Sequence, residues 1–262
     1  MLKCVGKYLA VLLNLTFILI AHASHVPGGN ITYENVGPNT FVITLTVFED
    51  CNGNISFSQN APEQINVSND CGIPFSNTIS LPMIEFQNHV SQLCDSTLGT
   101  CYGGTHPGIF MHVWQDTITL PGTCDSWTFA YDDCCRNSSD NLSGTGNYYW
   151  ESILNSNTSP SNSSPVITSQ PIPYNCVNQS ITFNFGVYEP DGDSLHFSLI
   201  NAMTGATTTV PYQGGFSGAV PIPGININSN TGEITFTATT TGSFVVVVLI
   251  QEFDVNGNLV GS

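Results

Sequence analysis

Cysteine placement is the strongest constraint on what this chain can fold into. Nine cysteines occur in 262 residues. Cys4 lies in a hydrophobic leader, which leaves Cys51, Cys71, Cys94, Cys101, Cys124, Cys134, Cys135 and Cys176. The leader covers residues 1–23: Lys3 and Lys7, an apolar run from Tyr8 to Ile20, then Ala21-His22-Ala23, the small-residue pattern of a cleavage site. Its apolar run is too short for a bilayer core of about 30 Å, so the pattern reads as a secretion signal rather than a membrane anchor. An even number of cysteines in an exported chain predicts disulfides.

Eight cysteines allow on the order of 100 connectivities, and geometry prunes them. Adjacent Cα atoms lie about 3.8 Å apart, short of the usual disulfide span of roughly 4.4–6.8 Å. Cys134 and Cys135 are therefore expected to take different partners. If the local pairs Cys51–Cys71 and Cys94–Cys101 form, Cys176 bonds Cys134 or Cys135 and Cys124 takes the other. One bridge then ties the first half of the chain to the second, and each bridge stabilises the fold by roughly 2–4 kcal/mol. A zinc site on Cys124, Cys134 and Cys135 lacks paired C-x-x-C spacing.

Charge narrows the function classes. Three residues are Lys or Arg against 19 Asp or Glu, for a formal net charge of −16, and beyond the leader Arg136 is the only base. Nucleic-acid surfaces, P-loops and anionic-membrane surfaces all need Lys or Arg, so they are excluded. At 41% hydrophobic residues the chain can build packed cores. Arg136 stands in YDDCCRN, where it reads as a structural clamp holding a carboxylate beside the cysteines, or alternatively as an anion site.

Hydrophobic periodicity predicts strands almost throughout. Phe41, Ile43, Leu45 and Val47 alternate with more polar neighbours, Ile109 to Leu120 reads as a long strand or hairpin, and Trp127, Phe129 and Tyr131 alternate before the vicinal cysteines. Tyr148 to Leu154 is expected to form a short turn of helix. The stretch 155–165 (NSNTSPSNSSP) has linker composition and marks a boundary between residues 24–154 and 166–262. The second half reads as a β-sandwich, with a strand from Ile181 to Val187, a turn at Asp191-Gly192, a strand from Leu195 to Ile200, and strands over Ile225–Asn228 and Glu233–Ala238. Phe244 to Ile250 is a continuous apolar run expected to be buried on both faces. The turn Asn256-Gly257 leads into a last strand that the sequence is expected to truncate. The predicted class is all-β: two sandwich-like domains, the first rich in disulfides.

Several motifs carry a family resemblance. HVPGGNITYENVG, FVITLTVFEDCNG and YDDCCRN resemble the Cys-rich leading module of large Bacteroidota extracellular surface proteins. In that family such modules precede immunoglobulin-like or cadherin-like repeats and end in a gliding motility-associated C-terminal domain used for type IX secretion. SSPVI, YNCVNQSITFNFG, EPDGDSL and NSNTGEITFTATTTGSF continue the resemblance and are similar to cadherin-like domains of the dystroglycan type. The resemblance implies a second domain of cadherin-like or immunoglobulin-like fold, and display at the cell surface in adhesion or gliding.

Glu189, Asp191 and Asp193 place carboxylates at alternate positions across a turn. Like charges so close repel unless a hard cation bridges them, and Ca²⁺ takes oxygen ligands from such loops. The cadherin-like resemblance implies a cation at this kind of turn, with Glu252 or Asp254 completing the shell. The competing reading is a solvated hairpin turn in which Asp-Gly serves the backbone alone.

Other chemistries find weaker support. His25, His89, His106, His112 and His196 show no metal-site spacing. GGFSGA around Ser217 is not a nucleophile elbow. A paired-carboxylate hydrolase needs an open cleft with carboxylates roughly 5–9.5 Å apart. Tyr148, Tyr149, Trp150, Trp114 and Trp127 are candidates for a sugar-binding platform, or for core and cross-strand partners. The leading expectation is a non-enzymatic secreted or cell-surface structural or adhesion protein, the N-terminal part of a larger one. Its partner would be an extracellular protein or glycan surface, with no nucleic acid and no transmembrane span in the mature chain. The alternative is a secreted glycan-binding accessory module of a polysaccharide-degrading protein.

Overall fold

A computed structural model describes residues 26–53, 56–91, 97–134, 136–144, 146–169 and 174–262. The secretion signal, His25, Cys94 and Cys135 lie outside the described residues. The expected all-β class holds, with antiparallel sheets packed in sandwich fashion. The first half contributes β1 (Gly28–Gly37), β2 (Thr40–Asp50), β3 (Glu63–Asn69), β4 (Thr78–Leu81), β5 (Met83–His89), β6 (Ile109–Thr119), β7 (Trp127–Cys134) and β8 (Asn147–Leu154). Then follow β9 (Val166–Ile167), β10 (Ser180–Phe183), β11 (Val187–Tyr188), β12 (Ser194–Leu199), β13 (Met203–Gly205) and β14 (Thr208–Thr209). β15 (Asn226–Ile227), β16 (Ile234–Thr237), β17 (Val248–Phe253) and β18 (Leu259–Gly261) complete the order.

A four-stranded sheet, β1-β2-β6-β5, faces a seven-stranded one, β12-β17-β18-β8-β7-β3-β4. Their inner faces supply one core: Phe41, Ile43 and Leu45 of β2 and Trp114 of β6 meet Ile65 of β3, Trp127 and Phe129 of β7 and Leu154 of β8, all fully buried. Period-two alternation is what aims these residues at one another, and each large side chain so buried contributes roughly 1.5–3 kcal/mol. Gly29 lets β1 lie directly on Trp150, because a Cβ there would stand 2.5 Å from the indole ring.

Tyr148 to Leu154 forms β8 rather than the expected turn of helix. The cause is cross-strand pairing with β7, which sets Tyr131 opposite Trp150 and Trp127 opposite Leu154. The Ile181–Val187 strand is also divided. β10 ends at Phe183, and Gly186, at φ 60°, turns the chain into β11.

The seven-stranded sheet runs through both halves of the chain. β18 pairs with β8 through Gly261 and Leu154, so β12, β17 and β18 extend the sheet begun by β7 and β8. Residues 155–165, which have linker composition, are packed into this junction. Ser156, Asn162, Ser163 and Ser164 are buried. The Ser164 N–H and hydroxyl donate to the Tyr33 carbonyl, and Tyr33 N–H donates back to Ser164 Oγ at 2.9 Å. Small polar side chains thus supply the partners that the edge of β1 would otherwise seek in water.

The apolar run from Phe244 is half-buried rather than enclosed on both faces, and its ladder begins only at Val248. Ahead of it the fully buried Asn141 side chain takes the place of a strand. It donates to Val245 carbonyl at 2.8 Å and accepts from Val245 N–H at 3.0 Å. Leu142, Ala202 and Val210 form a small satellite core beside it.

Disulfide connectivity differs from the local-pair expectation. Cys51 bonds Cys101, and Cys71 bonds Cys124. Strand register decides both. Pairing of β2 with β6 sets Asp50 opposite Ile109, and Cys51 N–H then donates to Gly108 carbonyl, beside the loop that holds Cys101. Pairing of β3 with β7 sets Asn69 opposite Trp127, which brings Cys71 to Cys124. Cys134 is also disulfide-bonded, whereas Cys176 is an exposed free thiol, so the expected bridge from Cys176 is not formed. With Cys124 and Cys134 both in disulfides, neither is a thiolate ligand for zinc.

Candidate functional site

The loop between β11 and β12 folds around one carboxylate. Glu189 accepts hydrogen bonds from the N–H groups of Asp191, Gly192 and Asp193, and Gly192, at φ 89°, makes the turn that aims all three inward. Asp193 is the loop residue just before β12, which pairs with β17 so that Leu195 lies opposite Glu252. One carboxylate oxygen each from Glu189, Asp193 and Glu252 thereby lie within 4.8 Å of one another.

Glu252 has no solvent exposure, and Tyr33, Gly261 and Asn162 close over it. Its Oε2 accepts from Asn162 Nδ2 at 3.1 Å, while its Oε1 has no hydrogen-bond partner among the described residues. Asn162 Nδ2 also donates to Tyr33 Oη at 2.9 Å, and Asn162 Oδ1 is likewise buried and unpartnered among the described residues. Burial pushes the Glu252 carboxyl up to about 8; the Asn162 hydrogen bond opposes this, and Glu189, Asp193 and Asp191 reinforce it. Asp193 is raised by burial and then by Glu189, Asp191 and Asp254. Burial, and next the Glu252 charge, hold the Tyr33 hydroxyl well above the ordinary tyrosine value.

The other two acids expected to bind a cation, Asp191 and Asp254, accept backbone hydrogen bonds. Asp191 Oδ2 accepts from Ser163 N–H at 2.6 Å, pinning the acidic loop to the 155–165 segment. Asp254 accepts from Asn258 Nδ2, Asn258 N–H and Asn256 N–H in the β17–β18 turn, which lower its pKa. Sequence reasoning therefore found three of the converging carboxylates but missed Asn162 and Tyr33. Asn162 sits in a run of similar polar residues, and no spacing singles it out.

The other expected constellations resolve into structure. Trp114, Trp127 and Tyr148 are buried in the core with Trp150 packed against it, stacked on Tyr148 at 4.7 Å, while Tyr149 is buried apart from that cluster and donates to Glu151 Oε2. Among the described residues, Arg136 clamps no carboxylate. It is buried, and its Nη2 donates to the carbonyls of Met203 at 2.6 Å and Asn147 at 3.2 Å, which ties the two halves together while burial lowers its pKa. Asp132 instead accepts from Asn66 Nδ2, and Asp133 from Cys134 N–H. A buried pair not foreseen from sequence, His112 Nε2 and Glu49 Oε2 at 2.7 Å, lies beneath Phe57 and Phe86.

The arrangement can hold a proton or a hard cation among oxygens. Glu252 itself is fully buried, so its carboxyl is not exposed at the surface. Among the described residues, no helix is long and apolar enough to cross a membrane. No family model matches the chain, and neither a curated protein nor a solved structure matches it.

Proposed function

We propose that this chain is a non-enzymatic structural and adhesive part of an extracellular or cell-surface protein, of the kind its motifs resemble in Bacteroidota gliding-associated surface proteins. The observation that carries the reading is the seven-stranded antiparallel sheet that passes from β4 to β12 through both halves, stapled at β3 and β7 by Cys71–Cys124. A body so cross-linked stays folded outside the cell, where disulfides persist and no chaperone renews it. Trp114, Trp127 and Tyr148 are buried in its core and Glu252 is fully buried, which supports reading its role as mechanical and interfacial.

The test is antibody labelling of intact cells of the producing organism, followed by attachment and gliding assays on a strain lacking the coding sequence. Labelled intact cells together with lost attachment or gliding support the reading. Signal confined to permeabilised cells overturns the surface placement, and unchanged attachment and gliding overturn the adhesive role.

A further inference from the structure

We infer that the facing edges of β17 and β8 form a docking slot for a short extended strand of another polypeptide, with apolar side chains at alternate positions and Lys or Arg at the others. The two strands share one sheet, with β18 between them. Gly261 of β18 lies between Glu252 of β17 and Leu154 of β8, and Ile153 exchanges both backbone hydrogen bonds with Ser262. Past that point β17 runs on through Gln251, Ile250, Leu249 and Val248, and β8 through Ser152, Glu151 and Trp150. Their outer edges stay paired with β12 and β7, but among the described residues no strand pairs with them across the slot.

Strand alternation fixes which backbone groups face inward. Ile200 N–H donates to the Val247 carbonyl, so Val247, Leu249 and Gln251 turn their groups to β12, and Val248 and Ile250 turn theirs to the slot. On β8 the exchange between Ile153 and Ser262 sets Glu151 on the slot edge, while Ser152 and Trp150 turn to β7. Free N–H and C=O groups on a strand edge are a template for pairing with another chain. An incoming strand that keeps the direction of β18 is antiparallel to both walls and bonds Ile250, Glu151 and Val248 in turn. Arg136 closes the far end, where its Nη2 donates to the carbonyls of Asn147 and Met203.

The walls also select the side chains. Val248, Leu249 and Ile250 are only half-buried, so apolar side chains at alternate positions cover them. Charge selects the rest. The chain carries a formal net charge of −16, Arg136 is its only base beyond the leader, and the exposed Glu151 stands on the slot wall. A second copy of so acidic a chain is repelled, and a basic strand is attracted. The inference rests on the sheet and its charge, whether or not the chain is displayed on a surface.

The test uses the purified protein and an acetylated hexapeptide alternating lysine and valine. In the free protein, amide exchange at Ile250 and Glu151 is expected to run about tenfold or more faster than at Leu249 and Ser152, and saturating peptide should slow it by a similar factor. Backbone N-methylation of the peptide keeps its charge but removes its donors, and should weaken binding, read by fluorescence anisotropy, about tenfold. Glutamate in place of lysine should abolish binding. The inference is overturned if Ile250 and Glu151 exchange as slowly as their neighbours in the free protein, if the N-methylated peptide binds equally well, or if binding leaves those two amides unprotected. Protection that rises with protein concentration alone assigns the slot to a second copy. Protection at every concentration in protein isolated from the producing organism assigns it to the chain itself, and either result overturns a separate partner.

Discussion

The Asn162 amide donates to the Tyr33 hydroxyl at 2.9 Å across 129 positions of sequence, and the same nitrogen reaches Glu252 Oε2 at 3.1 Å. One side chain thus bonds the first strand of the sandwich to its penultimate one. Asn162→Ala leaves Glu252 with no hydrogen-bond donor from this segment. The expected loss is about 1–3 kcal/mol in urea unfolding. A change under about 0.5 kcal/mol would show that the contact carries no stability.

The pH dependence follows from Glu252. Its carboxyl rises from an ordinary 4.5 to about 8 in the fold. Between those values the folded protein holds a proton that the unfolded chain has released. The stabilising contribution is therefore full below about pH 4.5 and is lost as pH climbs through 8. In chelator, Tm is expected to fall between about pH 5 and 8.5, by an amount on the order of a few kcal/mol in stability. Glu252→Gln cannot ionise and should flatten that slope; an unchanged slope assigns the titration elsewhere.

Gly261 stands where β18 crosses the buried carboxyl. A Cβ there would lie 2.6 Å from Tyr33 Oη and closer still to Glu252 Oε1. Both neighbours are buried and neither can swing into solvent. Gly261→Ala is expected to cost roughly 1–3 kcal/mol by overpacking. Gly28→Ala, with no atom within 4 Å of the added methyl, serves as the control. Equal effects from the two would discard the steric account.

The strands were legible because alternation of Phe41, Ile43, Leu45 and Val47 reports one buried face directly. The acidic turn was legible too, since Glu189, Asp191 and Asp193 are neighbours in sequence. What escaped was everything set by register between distant strands. Cys51 meets Cys101 only because β2 pairs with β6, and no local rule weighs a partner 50 residues away above one 20 away. The segment 155–165 misled for a related reason. Ser and Asn make a flexible linker in water, yet beside an unpaired strand edge the same hydroxyls and amides act as its missing partners. Asp254, another candidate, accepts hydrogen bonds from Asn256 and Asn258 of its own turn.

Peptide mapping without reduction checks the connectivity. It should link Cys51 to Cys101 and Cys71 to Cys124. Cys176 should react with a maleimide in the native protein, because it is exposed and free. Cys124 is fully buried, and its bridge closes a separation of 53 residues, so replacing Cys71 and Cys124 by Ser is expected to cost roughly 2–4 kcal/mol. A cross-link between Cys51 and Cys71 would contradict the register of β2 with β6.

Asn141 gives the last test, of whether the halves are bound by specific polar contacts. Its side chain is fully buried and makes three hydrogen bonds, to the Pro221 carbonyl at 3.1 Å and to both backbone groups of Val245. Asn141→Ala frees the Val245 N–H and carbonyl without supplying substitutes, so the penalty is that of unpaired backbone groups at a buried joint. The expected loss is about 2–4 kcal/mol. It should be local, with amide exchange accelerated at Val245 and across β17 before the β2–β6 core. Uniform acceleration across both sheets would mean instead that the chain opens as a single cooperative unit.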